Sequence, residues 1–214
     1  MKAAQPGSPA LHLAAEPKVD HYAPLATLKQ ATWPHHQRLE QKLALLDPGF
    51  SRADYLRLMK ALWGYYRPLE ARLANLPELR AWLPDFGRRL KSRLLEADLR
   101  ALGVDSGALQ RLPTCRELPA CADLAAALGC LYVLEGATLG GQVISRHLER
   151  SLELDAGNGA AFFTGYGAAT GAMWQAFRER LAAAGADERA LADSACETFL
   201  SLERWLCPPI AAQG

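Results

Sequence analysis

From Leu25 onward, apolar residues such as Leu28, Leu39, Leu43 and Leu46 recur near the helical period, and strand-like alternation is scarce. A chain with that period folds by burying one stripe of each helix. The expected fold class is therefore all-α, a single-domain bundle of about six helices without an internal repeat. At 214 residues, half of them hydrophobic, the chain can bury one core.

Local signals place the helices. Thr27 with Gln30 reads as a capping box opening the first helix, which should end near Asp47-Pro48-Gly49. Pro34 falls inside that stretch and predicts a bend or a later start. Ser51 can cap a second helix over Arg52 to Leu73. Further helices are expected over Leu79 to Leu102, Cys121 to Leu152, Gly167 to Ala184 and Asp187 to Leu206. Residues 1–24, with four prolines, read as a flexible leader, 25–207 as the folded domain and 208–214 as a tail.

Composition narrows the function classes. Twenty-four Lys plus Arg against 23 Asp plus Glu give a net charge of +1, which argues against nucleic acid or an anionic membrane surface as partner. No stretch reads as a signal peptide or as an apolar span of about 20 residues. The five cysteines are odd in number and contain no CxxC pair, so neither a disulfide framework nor a zinc site is expected, and a cytoplasmic location fits best.

Two segments can carry chemistry. In the first, His36 precedes Glu40 by four residues, so the two share a helix face. An imidazole that ligates a metal needs its other nitrogen oriented by an acceptor, which Glu40 can supply, although the same spacing also makes a surface ion pair. Lys29 lies two turns before His36, about 10 Å away on nearly the same side, as a cation for an anionic ligand group or as a solvated lysine. His35 points about 100° away from His36 and faces Leu39 rather than a carboxylate. In the second segment, Leu131 to Leu148, three glycines interrupt one helix. Gly136 and Gly140 bare a strip of backbone that could receive a flat ligand or a neighbouring helix.

The stretch Leu131-Tyr132-Val133-Leu134-Glu135-Gly136-Ala137-Thr138-Leu139-Gly140-Gly141-Gln142 resembles the distal-helix signature of the heme oxygenase family. The segment Ala31 to Glu40 resembles its proximal helix. Ala161 to Thr164, Trp174 to Arg180 and Thr198 to Leu200 resemble later family segments in the right order, so the resemblance covers Leu25 to Leu206. It implies a heme oxygenase of bacterial type, with His36 as the iron ligand and Glu40 as that ligand's partner. It implies Lys29, Tyr132 and Arg178 near the heme propionates, Phe199 in the heme pocket, and Gly136, Gly140 and Gly141 as the catalytic backbone.

The implied reaction is cleavage of heme, which is both substrate and cofactor, to biliverdin, carbon monoxide and ferrous iron. It uses dioxygen and electrons from a ferredoxin or a reductase, and the α isomer is expected. The distal wording is similar to that of heme oxygenases serving bacteriophytochromes, with iron salvage the alternative role. Mammalian-type members carry an aspartate where this chain has Ala137, so a water held by backbone carbonyls near Gly136, or by a side chain such as His147, would have to replace it. Two rival readings remain at this point. One is a heme carrier or sensor without turnover. The other is a thiamine-pyrimidine hydrolase, which would require Cys130 as nucleophile.

Overall fold

A computed structural model describes residues 23–208; the expectations for the leader before Ala23 and for the tail from residue 209 lie outside the described residues. Ten α-helices and one 3-10 turn follow one another, with no strand among the described residues. The all-α expectation holds.

The first helix, α1 (Ala23–Leu43), runs through Pro34, so the later start is excluded. The chain is already helical four residues before Thr27, which is exposed inside the helix rather than at its cap. The helix stops short of Asp47, at Ala44, whose φ of 44° turns the chain out of the helix. The second helix, α2 (Arg52–Ala74), opens on the expected Ser51 cap: the Ser51 side chain accepts from Asp54 N and the Asp54 carboxylate accepts from Ser51 N.

The expected helix from Leu79 to Leu102 is three helices: α3 (Pro77–Trp82), α4 (Phe86–Arg89) and α5 (Ser92–Ala101). Pro84 is the cause of the first break, because a residue before proline is pushed out of helical geometry, and Leu83 sits at φ −123°, ψ 77°. A short α6 (Ser106–Gln110) follows, unforeseen. Next comes α7 (Leu124–Leu152), which starts three residues later than expected because Asp123 caps it through Ala126 N. The unforeseen α8 (Ala161–Thr164) and a 3-10 turn over Gly167–Ala169 lead to α9 (Thr170–Ala183) and α10 (Glu188–Leu206), capped by Asp187.

By length and composition, α7 is apolar enough to cross a membrane, which the sequence reading missed; just over half of that stretch is buried as a core helix of the bundle. The floor of the bundle is α10, which packs along both α7 and α1 and also meets α2, whereas α1 and α7 scarcely touch each other. Gly129 permits the close crossing of α7 on α10: a Cβ there would collide with the Leu191 carbonyl and lie 2.8 Å from Ser194 Cβ. On the other flank of α10, Glu203 accepts from Arg38 and Lys42 of α1, each at 2.7 Å. Burial opposes ionisation of Glu203, but the bonds from Lys42 and Arg38 prevail and hold its carboxyl below the usual range.

Behind α7 lies a buried ionic cluster. Glu135 accepts from Arg89 at 2.5 Å, Lys91 at 2.9 Å and Tyr166 at 2.7 Å. Arg89 also reaches Asp85, and Glu70 accepts from the backbone N–H groups of Lys91 and Ser92. All of Arg89, Lys91, Glu135 and Glu70 are buried. The cluster ties the α4–α5 junction and the segment after α8 to α7 one residue before Gly136.

Breaking one member of a buried network leaves the others uncompensated, at a cost of about 3–5 kcal/mol. Glu135→Gln should therefore lower the unfolding free energy by that amount in denaturant titrations. A loss below about 1 kcal/mol, as for an exposed pair, would show that the cluster does not anchor α7.

Candidate functional site

On α1, Glu40 Oε1 lies 3.6 Å from His36 Nε2, a contact longer than a hydrogen bond. The other ring nitrogen, Nδ1, is buried and has no hydrogen-bond partner. Trp33 stacks on the ring at 5.8 Å and 15°, and Phe199 of α10 meets it edge-on at 5.9 Å. The imidazole is thus held by an indole, a phenyl edge and a carboxylate, with 37% of the side chain exposed. His35 is engaged elsewhere, 3.1 Å from Arg38 Nη2, which donates to its Nδ1. Lys29 is half-buried two turns earlier on the same helix.

On α7, Gly136, Leu139, Gly140 and Val143 follow the i, i+3, i+4, i+7 spacing of a single face. That face is open. A Cβ on Gly140 would meet nothing within 4 Å, and one on Gly136 would make only ordinary contact with Trp174 at 3.6 Å. Leu139 (43%) and Val143 (39%) are the large hydrophobic residues left exposed among the described residues. Bare backbone flanked by exposed aliphatic side chains is a surface for a flat apolar ligand. Tyr132 packs on Trp174 of α9 at 5.5 Å, and Arg178 lies one turn beyond Trp174 on the same helix.

The remaining signature residues serve packing. Gly141 is buried where a Cβ would come within 2.5 Å of the Phe163 carbonyl oxygen, so its smallness admits α8. Gln142 Nε2 bonds Thr164 O at 3.1 Å and Thr170 Oγ1 at 3.2 Å, fastening α7 to the start of α9. Thr138 Oγ1 donates to the Glu135 carbonyl at 2.6 Å. Ala137 is exposed and brings no carboxylate to the open face, while the nearby acid, Glu135, is committed to the buried cluster. His147 stands about 10 Å along the helix from Gly140.

The sequence reading missed Trp33, whose stacking follows from its place one turn before His36, and the packing roles of Gly141 and Gln142. Cys130 does not line a cleft: it is fully buried, within reach of Ser194 and Thr198 of α10. A cavity of about 340 Å³ lies at the far end of α10, lined by Thr114, Arg116, Glu117, Arg204 and Trp205. Its charged lining suits a small polar ligand better than a macrocycle.

The aromatic-flanked histidine and the open glycine face stand on two helices that share α10 as support. Their donor chemistry fits heme: a buried imidazole nitrogen without a partner on one helix, bare backbone with apolar flanks on the other, and cationic residues on α1 and α9.

The chain is similar in fold to the nitric oxide- and carbon monoxide-bound heme oxygenase of Neisseria meningitidis, at 20% identity and a TM-score of 0.73 over 88% of this chain and 94% of that one. It is also similar to the heme oxygenase of Leptospira interrogans, at 16% identity and a TM-score of 0.68 over 86% of this chain and 98% of that one. No curated protein matches. The family model described as heme oxygenase matches residues 23–206, all but the last two of the described residues, and the chain belongs to the heme oxygenase family.

Proposed function

We propose that this member of a heme-degrading family opens heme to biliverdin, most readily the α isomer, in the space between α1 and the open face of α7. The observation that carries the reading is His36, whose ring has one nitrogen beside Glu40 and the other buried without a partner. A buried polar atom without a partner calls for an explanation, and iron ligation is one. The chemistry that heme supplies when bound is oxidative opening of its own macrocycle to biliverdin, carbon monoxide and ferrous iron, with dioxygen and electrons from a ferredoxin or reductase.

The chain's residues do the binding and positioning. His36 would provide the nitrogen that holds the iron, with Glu40 setting ring orientation and basicity and Trp33 and Phe199 restricting its rotation. Gly136 and Gly140 would let the macrocycle lie against the helix backbone, and Leu139 and Val143 would exclude water from its edges. Lys29 and Arg178, with Tyr132, would meet the propionates and so fix the in-plane rotation of the ring against the bare backbone of Gly136 and Gly140. Because Ala137 brings no acid, backbone carbonyls near Gly136 are the groups we assign to hold the proton-supplying water. Supply of biliverdin to a bacteriophytochrome in the cytoplasm is the role favoured by the distal-helix wording.

The deciding experiment mixes protein, hemin and a reductant under air and follows absorbance. Loss of the Soret band with growth of a biliverdin band supports the reading; a stable Soret band through repeated reduction would make the protein a carrier. Among variants, His36→Ala should lose the histidyl-heme spectrum and all turnover, and added imidazole should restore the spectrum at least in part. His35→Ala should keep both, and Glu40→Ala should lose about 10–100-fold in affinity or activity. An unchanged spectrum in His36→Ala would refute the assignment of the ligand.

The propionate assignment makes a separate prediction. Lys29→Ala with Arg178→Ala should yield mixed biliverdin isomers on chromatography while heme still binds, because burial of the macrocycle supplies most of the affinity. A single isomer identical to the parent's would show that other residues orient heme.

A further inference from the structure

Cys121 and Cys130 lie outside the chemistry proposed above. Cys121 is half-buried in the loop before α7, Cys130 is fully buried in the second turn of that helix, and their Sγ atoms are 3.6 Å apart. Closing that gap to the S–S bond length of about 2.05 Å requires roughly 1.5 Å of movement, which a side-chain rotation in the loop can supply. The loop is held in place from α2, where Arg72 donates to Leu118 O at 3.3 Å and Pro119 O at 2.9 Å. On the inner side, Thr198 Oγ1 and Ser194 Oγ lie 3.3 and 3.6 Å from Cys130 Sγ.

We propose that Cys121 and Cys130 form a peroxide-responsive dithiol that closes reversibly to an intramolecular disulfide, with Cys121 meeting the oxidant and Cys130 resolving the product. This inference is independent of how heme is bound. Cys121 meets the oxidant because its sulfur is the one that solvent reaches, Cys130 being fully buried; the Cys121 proton leaves to solvent before the attack.

In the first step the Cys121 thiolate attacks a hydroperoxide. An S–O bond forms, the O–O bond breaks, and the alkoxide or hydroxide leaves and takes a proton from solvent. Cys121, oxidised by two electrons, becomes a sulfenic acid. In the second step Cys130 sulfur attacks Cys121 sulfur; the S–S bond forms, the S–O bond breaks, and the oxygen departs as water with the Cys130 proton. An external dithiol returns the two electrons and restores both thiols. In a reducing compartment the bridge would persist only while peroxide is present.

The test uses the full chain, reduced and before any heme is added, with one equivalent of hydrogen peroxide. Two of the five thiols should disappear, peptide mapping should link Cys121 to Cys130 within one chain, and a dithiol reductant should recover all five. Cys121→Ser and Cys130→Ala should each prevent the link, and Cys196→Ser should leave it intact. Should Cys130→Ala fail to fold, the loop variant Cys121→Ser still decides. The proposal is overturned if all thiols survive, if Cys121 runs on to a sulfinic acid without a link, or if the bridge joins other cysteines or separate chains.

Discussion

Everything at the candidate site depends on two helices sharing one support. Along α10, Gly129 lets α7 come down almost to backbone contact, and Glu203 draws in α1 through Arg38 and Lys42. The two attachments differ in kind. The first is steric and indifferent to salt or pH. The second is electrostatic, and because Glu203 has its carboxyl pKa depressed in the fold, its contribution is present above the unfolded value of about 4.3 and lost as pH falls through the folded one.

The helix α7 resolves a conflict that its composition creates. It carries enough glycine to be a poor helix in isolation, each one costing about 1 kcal/mol relative to alanine. Tertiary contacts offset this on the covered side: Gly129 against α10, Gly141 against α8, Gln142 to Thr164 and Thr170, and Glu135 in its ring of cations. With that side immobilised, the opposite side can leave Gly136 and Gly140 bare. Residues adjacent in sequence thus do opposite work, Glu135 anchoring and Gly136 opening.

Much of this was legible in the chain. Helical period and the Ser51 cap are local properties, and both were found where the residues placed them. The separation of His35 from His36 follows from the helical turn alone, and Arg38 holds His35 away from the carboxylate that His36 faces. Pro84 was also a local signal, but the apolar period on either side of it masked the break. Thr27 misled because a capping pattern says nothing about whether the helix has already begun. The roles of Glu135, Gly141 and the Cys121–Cys130 pair were not legible, since each depends on a partner brought close only by the folded bundle.

The central claim is that the ligand lies between the His36 face of α1 and the Gly136–Val143 face of α7. Paramagnetic NMR on protein with selectively labelled histidine, leucine, valine and tryptophan, titrated with ferric hemin, tests it most directly. The largest shifts and broadening are expected at His36, Leu139 and Val143, with little change at Trp205, which lines the cavity at the far end of α10. Perturbation centred on Trp205 and absent from Leu139 and Val143 would contradict it.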